Sequence, residues 1–180
     1  CIHFFRLPAS SWNPANSDGS KKMLAVDANE YSTALHEVNF PLSKLGEYKV
    51  YFLDYRLKNY ASAMALSFKD DSAVVFGTYN AYSKRTIHQL AAHELGHQVD
   101  FQLMNSSKWK IYKELRGITD NNIYNDYSEV YENRPQEIFA DDFRLLLGGE
   151  SAKKAGHLNT QLPSPENVPG LKEFFLSLAE

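Results

Sequence analysis

Leu90-Ala91-Ala92-His93-Glu94-Leu95-Gly96-His97-Gln98-Val99-Asp100-Phe101 places two histidines four residues apart, with a glutamate directly after the first. Residues at that spacing lie one above the other on a helix, so His93 and His97 can offer two imidazole nitrogens to one ion. Glu94 lies about 100° around the helix from His93, so it can stay off such an ion and still reach a water beside it.

A His-Glu-x-x-His run arises by chance in roughly 1% of shuffled chains of this composition, so its surroundings carry weight. A surface helix with two idle histidines predicts polar neighbours. Instead Ile87, Leu90, Ala91, Ala92, Leu95 and Val99 make the stretch from Ser83 to Met104 apolar on most sides, the pattern of a helix buried through a domain. Two histidines and a glutamate in such a helix need partners, and a zinc ion supplies one. Gly96 costs about 1 kcal/mol relative to Ala in a helix interior, which points to a close neighbour there.

Two histidines leave a tetrahedral zinc short of a protein ligand, and the third is sought downstream. A metzincin continuation requires glycine at 100 and histidine at 103, where Asp100 and Leu103 stand. Gly117-Ile118-Thr119-Asp120 imitates an aspartate-ligand run but in the wrong order. A glutamate on a second helix, four residues before another acidic residue, is matched by Glu137 and Asp141. Their segment has strong helix punctuation: Asn133 or Arg134 can cap it, Pro135 suits its first position, and Gly148-Gly149 ends it. Phe139, Phe143 and Leu146 form its core stripe. Alone, the acidic pair reads as a solvated face. Beside His93 and His97, Glu137 reads as the third metal ligand and Asp141 as the carboxylate that orients a ligand histidine through its other ring nitrogen.

The run from His93 to Asp100, followed by Pro135-Gln136-Glu137-Ile138-Phe139-Ala140-Asp141-Asp142-Phe143-Arg144, resembles the gluzincin metallopeptidases, most specifically the anthrax lethal factor catalytic domain and the Pro-Pro endopeptidases. The likeness is strongest over residues 83–147. It implies a zincin-like α+β fold, one zinc ion, Glu94 as general base, and zinc endopeptidase activity on an extended protein or peptide substrate. In these relatives a tyrosine shortly before the third ligand points at the water. The corresponding spacing falls on Val130, with Tyr131 adjacent as the closer match and Tyr127 as the alternative. The resemblance also implies an extracellular or cell-surface location, and a preference for Pro-Pro bonds is one branch's alternative. An inactive binding module of this fold is expected to lack one of His93, Glu94, His97 and Glu137, and all four are present. A structural zinc site needs four protein ligands, and no cysteine cluster exists.

With 180 residues, 43% of them hydrophobic, the chain has material for one catalytic domain. Residues 1–104 are expected to form an N-terminal lobe with a small mixed sheet and the active-site helix, and residues 105–180 a mainly helical C-terminal lobe carrying Glu137. No apolar run reaches the roughly 18 residues of a membrane span. The net charge of -3 gives no case for nucleic acid, and Lys108, Lys110, Lys113 and Arg116 read as the solvated side of a helix whose other side is Trp109, Tyr112 and Leu115. A monomer is expected. Cys1 is the single cysteine, which rules out an internal disulfide. A chain beginning with cysteine is expected to be a lipid-bearing processed terminus or a domain fragment, and the strand-like Ile2-His3-Phe4-Phe5 favours the fragment.

Asp27-x-x-Glu30 reads as a capping box opening a helix that runs to Val38, where Pro41 follows. Strands are expected over Tyr48–Tyr55, Ala63–Phe68 and Ala73–Tyr79, the last two joined as a hairpin by Lys69-Asp70-Asp71-Ser72. Val74-Val75-Phe76-Gly77 is the candidate edge for an added substrate strand, although an ordinary core strand fits it equally well. Residues 117–133 form a long connection, Leu162–Gly170 a Pro-rich linker, and Leu171–Leu178 a closing helix.

Overall fold

The computed structural model describes residues 1–7, 12–20, 23–118 and 129–180. Its strands β1 (Ile2–Arg6), β2 (Tyr48–Phe52), β3 (Ala65–Phe68) and β4 (Ser72–Val75) form one mixed sheet in the order β1-β2-β4-β3. β1, β2 and β4 run parallel, and β3 returns antiparallel to β4 with Ser67 opposite Ala73. Period-two alternation sends Tyr48, Val50 and Phe52 of β2 into the core. Asp71 closes the β3–β4 turn at φ 66°, a left-handed conformation that aspartate tolerates.

The position of β4 corrects the expected edge. Ala73, Val75 and Phe76 are fully buried, and β4 lies between β2 and β3. The continuous apolar run Ala73-Val74-Val75-Phe76 suits a strand covered on both faces, which is what an interior strand requires. β3 is therefore the edge strand on the side of the cleft. The strands are also shorter than expected: β2 ends at Phe52 and β4 at Val75.

Five helices accompany the sheet among the described residues. Asp27 caps α1 (Ala28–His36) by accepting from the backbone N–H groups of Asn29 and Glu30. Glu30 does not close the expected capping box; its carboxylate reaches His88 Nε2 at 2.6 Å. Ser83 caps α2 (Lys84–Leu103), accepting from Thr86 N, and the chain turns extended at Met104. α3 (Ser106–Arg116) is capped by Asn105 and stops at Gly117, whose φ of 68° suits glycine. α4 (Pro135–Leu147) opens with Pro135 at its first turn, and Arg134, the capping residue, makes no side-chain cap bond. α5 (Leu171–Ser177) docks through Leu171, Phe174 and Phe175.

α2 packs against α1, β3 and α4. One apolar cluster joins residues from Val26 to Leu178, and Phe139 links Tyr112 and Phe175 at ring separations of 5.1 and 4.8 Å. Arg116 departs from the expected solvated face of α3. It is buried, with Nε 3.0 Å from Asp142 Oδ2, because the buried Asp142 on α4 needs a cationic partner. No helix among the described residues is long and apolar enough to cross a membrane.

Candidate metal centre

The crossing of α2 over α4 builds the site. A Cβ added at Gly96 would lie 2.8 Å from both Cα and the carbonyl oxygen of Ala140, so glycine allows the two backbones their close approach. That approach brings the side chains one turn either side of it into contact. His93 Nε2 lies 3.1 Å and His97 Nε2 3.3 Å from Glu137 Oε2. One atom from each of these residues falls within 4.8 Å of the others, forming the group able to hold a metal ion among the described residues. The two rings stand nearly perpendicular, at 83°, so their nitrogens converge rather than stack.

The donor set fits a metal chemically. Two imidazole nitrogens and one carboxylate oxygen match the three-ligand pattern of hydrolytic zinc sites. His93 is also oriented from behind: its Nδ1 lies 3.2 Å from Asp141 Oδ1, which leaves Nε2 to face the centre. Asp141 is itself held, accepting from Arg144 Nε at 2.7 Å, from Arg144 Nη2 at 3.0 Å, and from Leu158 N at 2.8 Å. Arg144 further donates to the carbonyls of Ala152, Ala155 and Gly156. The loop that walls the cleft is thus tied to the partner of His93.

The electrostatics follow from this crowding. Burial works against charge on His93, but hydrogen bonds to Asp141 and Glu137 outweigh it and raise its pKa from 6.5 to about 10. Burial would likewise push Glu137 and Asp141 up. For Glu137 the bonds from His93 and His97 win, and for Asp141 those from His93 and Arg144, so both carboxyls sit well below the usual range. In the metal-free protein His93, Glu137 and Asp141 therefore favour their charged forms.

Glu94 is buried beside this group without joining it, and its Oε2 accepts from Ser67 Oγ at 2.6 Å. The cleft above, about 1050 Å³, runs between β3 and the loop carrying Ala155, Gly156 and Leu158, with Glu94, His93 and His97 on its floor. Tyr131 lies in a short turn, Tyr131–Asn133, just before α4, and lines the same cleft. Partial burial, followed by the nearby Glu137 carboxylate, raises the pKa of its hydroxyl above the ordinary 10. The alternative tyrosine, Tyr127, lies outside the described residues.

His93, Glu94, His97, Glu137, Asp141 and Tyr131 are thus brought to one place. Ser67 and the clamp of Arg144 were not assigned roles from sequence. The i, i+3 spacing of Asp141 and Arg144 is a readable signal for their pairing, whereas a lone serine on a strand carries none. Comparison with family models, with curated proteins and with solved structures found no match for this chain.

Proposed function

We propose that the chain is a zinc-dependent endopeptidase acting on extended protein or peptide segments. The observation that carries this reading is the convergence of one donor atom each from His93, His97 and Glu137 within 4.8 Å of one another, next to a buried Glu94 that stays outside the cluster. The gluzincin resemblance of the same residues supports it.

His93, His97 and Glu137 would hold the ion. When bound, zinc would supply Lewis acidity, lowering the pKa of a water to about 7 and polarising a carbonyl. Glu94 takes one proton from the attacking water as its oxygen bonds to the peptide carbonyl carbon. As the C–N bond breaks, Glu94 returns that proton to the departing amine, acting as base and then acid. The Tyr131 hydroxyl, in the cleft beside Glu137, donates to the oxygen that gains negative charge. The substrate lies along β3, where main-chain hydrogen bonds suit many sequences.

Elemental analysis of the purified chain, resupplied with zinc, tests the reading together with mass spectrometry of a diverse peptide library. About one zinc per chain and cleavage that a chelator abolishes are expected. A protein that retains no stoichiometric transition metal would overturn it.

A further inference from the structure

We propose that Ser67 is a positioning residue that holds the catalytic carboxylate of Glu94 against the edge strand, so that the strand receiving the substrate also sets the place of the base. The assignment rests on the peptidase reading above. Three observations carry it. Ser67 belongs to β3, the edge strand that lines the cleft. Its Oγ donates to Glu94 Oε2 at 2.6 Å, while the Glu94 main-chain carbonyl stands farther, at 3.3 Å. A hydroxyl has one proton to give, and the shorter contact to a charged acceptor takes it. Among the described residues Ser67 is the one donor to that carboxylate, which leaves Glu94 Oε1 for the proton of a water.

The third observation fixes the strand itself. Gln98, fully buried one turn along α2 from Glu94, donates through Nε2 to the main-chain oxygens of Phe68 at 3.2 Å and Ser72 at 3.1 Å. These carbonyls stand at the two ends of the β3–β4 turn, so α2 grips the hairpin immediately beside Ser67. Ser67 and Gln98 together set strand and base in one register. A carboxylate freed from Ser67 keeps its charge and its helix but samples other rotamers, most of which point away from the reacting carbonyl.

The test compares Ser67→Ala and Ser67→Thr with wild type at equal zinc occupancy, on a peptide found by library screening. Ser67→Ala should lower kcat roughly 10- to 100-fold, the range for losing a hydrogen bond to a charged group, with KM within about twofold. Ser67→Thr, which keeps the hydroxyl and suits a strand, should restore most of the loss. The second readout needs no activity: a thermal double-mutant cycle of Ser67→Ala with Glu94→Ala in chelator-treated protein. Ser67→Ala should lower Tm in the wild-type background and change it little once Glu94 is gone. Additive Tm changes, or an unchanged kcat in Ser67→Ala, overturn the role of Ser67 while the peptidase reading stands. A wild type that loads zinc but cuts no peptide overturns the peptidase reading, and the Ser67 role with it, whatever the cycle gives.

Discussion

Glu137 Oε2 lies 3.1 and 3.3 Å from the two Nε2 atoms, so on the proposed reading its removal takes away a metal ligand rather than a proton carrier. Asp141 acts one step back, through His93 Nδ1. The two substitutions should therefore separate. Loss of an orienting carboxylate weakens metal affinity by roughly 10- to 100-fold, so Asp141→Asn should fall in that range and Glu137→Ala beyond it, at about 100-fold or more. Competition with a chromophoric chelator measures both, and equal affinities for Glu137→Ala and wild type would place the third ligand elsewhere. Tyr131 lines the cleft and is not one of the three residues grouped to hold a metal. Tyr131→Phe should leave zinc in place and lower turnover by roughly 10- to 1000-fold, as for loss of one oxyanion donor. A variant with wild-type turnover would pass the role to another tyrosine, Tyr127 first.

The crossing of α2 over α4 is what turns a motif into a site. Gly96 stands between the two histidines, and a methyl group there would press on the Ala140 backbone at 2.8 Å. Neither partner is a flexible side-chain end, so the helices must part. Gly96→Ala should cost about 1–3 kcal/mol by overpacking, despite its better helix propensity, and should loosen zinc because His93 and His97 move away from Glu137. Denaturant unfolding tests it, and a more stable variant would show that the crossing is not tight. This crossing was half legible. The helix cost of Gly96 signals a neighbour, and i, i+4 spacing pairs Glu137 with Asp141, but nothing local says that Ala140 is what Gly96 meets. α2 could be delimited almost to the residue, because its apolar pattern is long. The edge strand was misplaced because strand order is a property of pairing, and Val74 to Gly77 reads alike in either position. Arg116 and Glu30 differ from their sequence reading for a related reason: each meets a polar partner on a distant element, Asp142 and His88, that local sequence does not announce.

His93, Glu137 and Asp141 have their charges shifted by folding, so protonation and folding are linked at this site. In metal-free protein His93 has a folded pKa of about 10, above its ordinary 6.5, which stabilises the fold below pH 6.5 and is lost as pH rises toward 10. Glu137 and Asp141 are shifted down from 4.5 and 3.8, so their contribution is present above about pH 4.5 and lost as pH falls. The Tm of chelator-treated protein should therefore be highest between about pH 4.5 and 6.5 and decline toward pH 10. Saturating zinc should flatten the alkaline decline, since a metal takes the deprotonated imidazole. A Tm of the metal-free protein that rises from pH 6.5 to 10 would contradict the charged cluster.

Glu94 adjoins the metal group without belonging to it, so its substitution separates chemistry from metal and fold. Glu94→Gln keeps the shape and hydrogen bonding of the side chain and removes its basicity. The measurement is cleavage of a mixed peptide library by wild type and Glu94→Gln, each zinc-loaded to the same occupancy and read by mass spectrometry. Wild type should cut, and the variant should bind zinc and peptide equally while turning over at least about 1000-fold more slowly. Equal cleavage by the two proteins, or no cleavage by zinc-loaded wild type across a broad library, would contradict the assignment of this cleft as a zinc peptidase site.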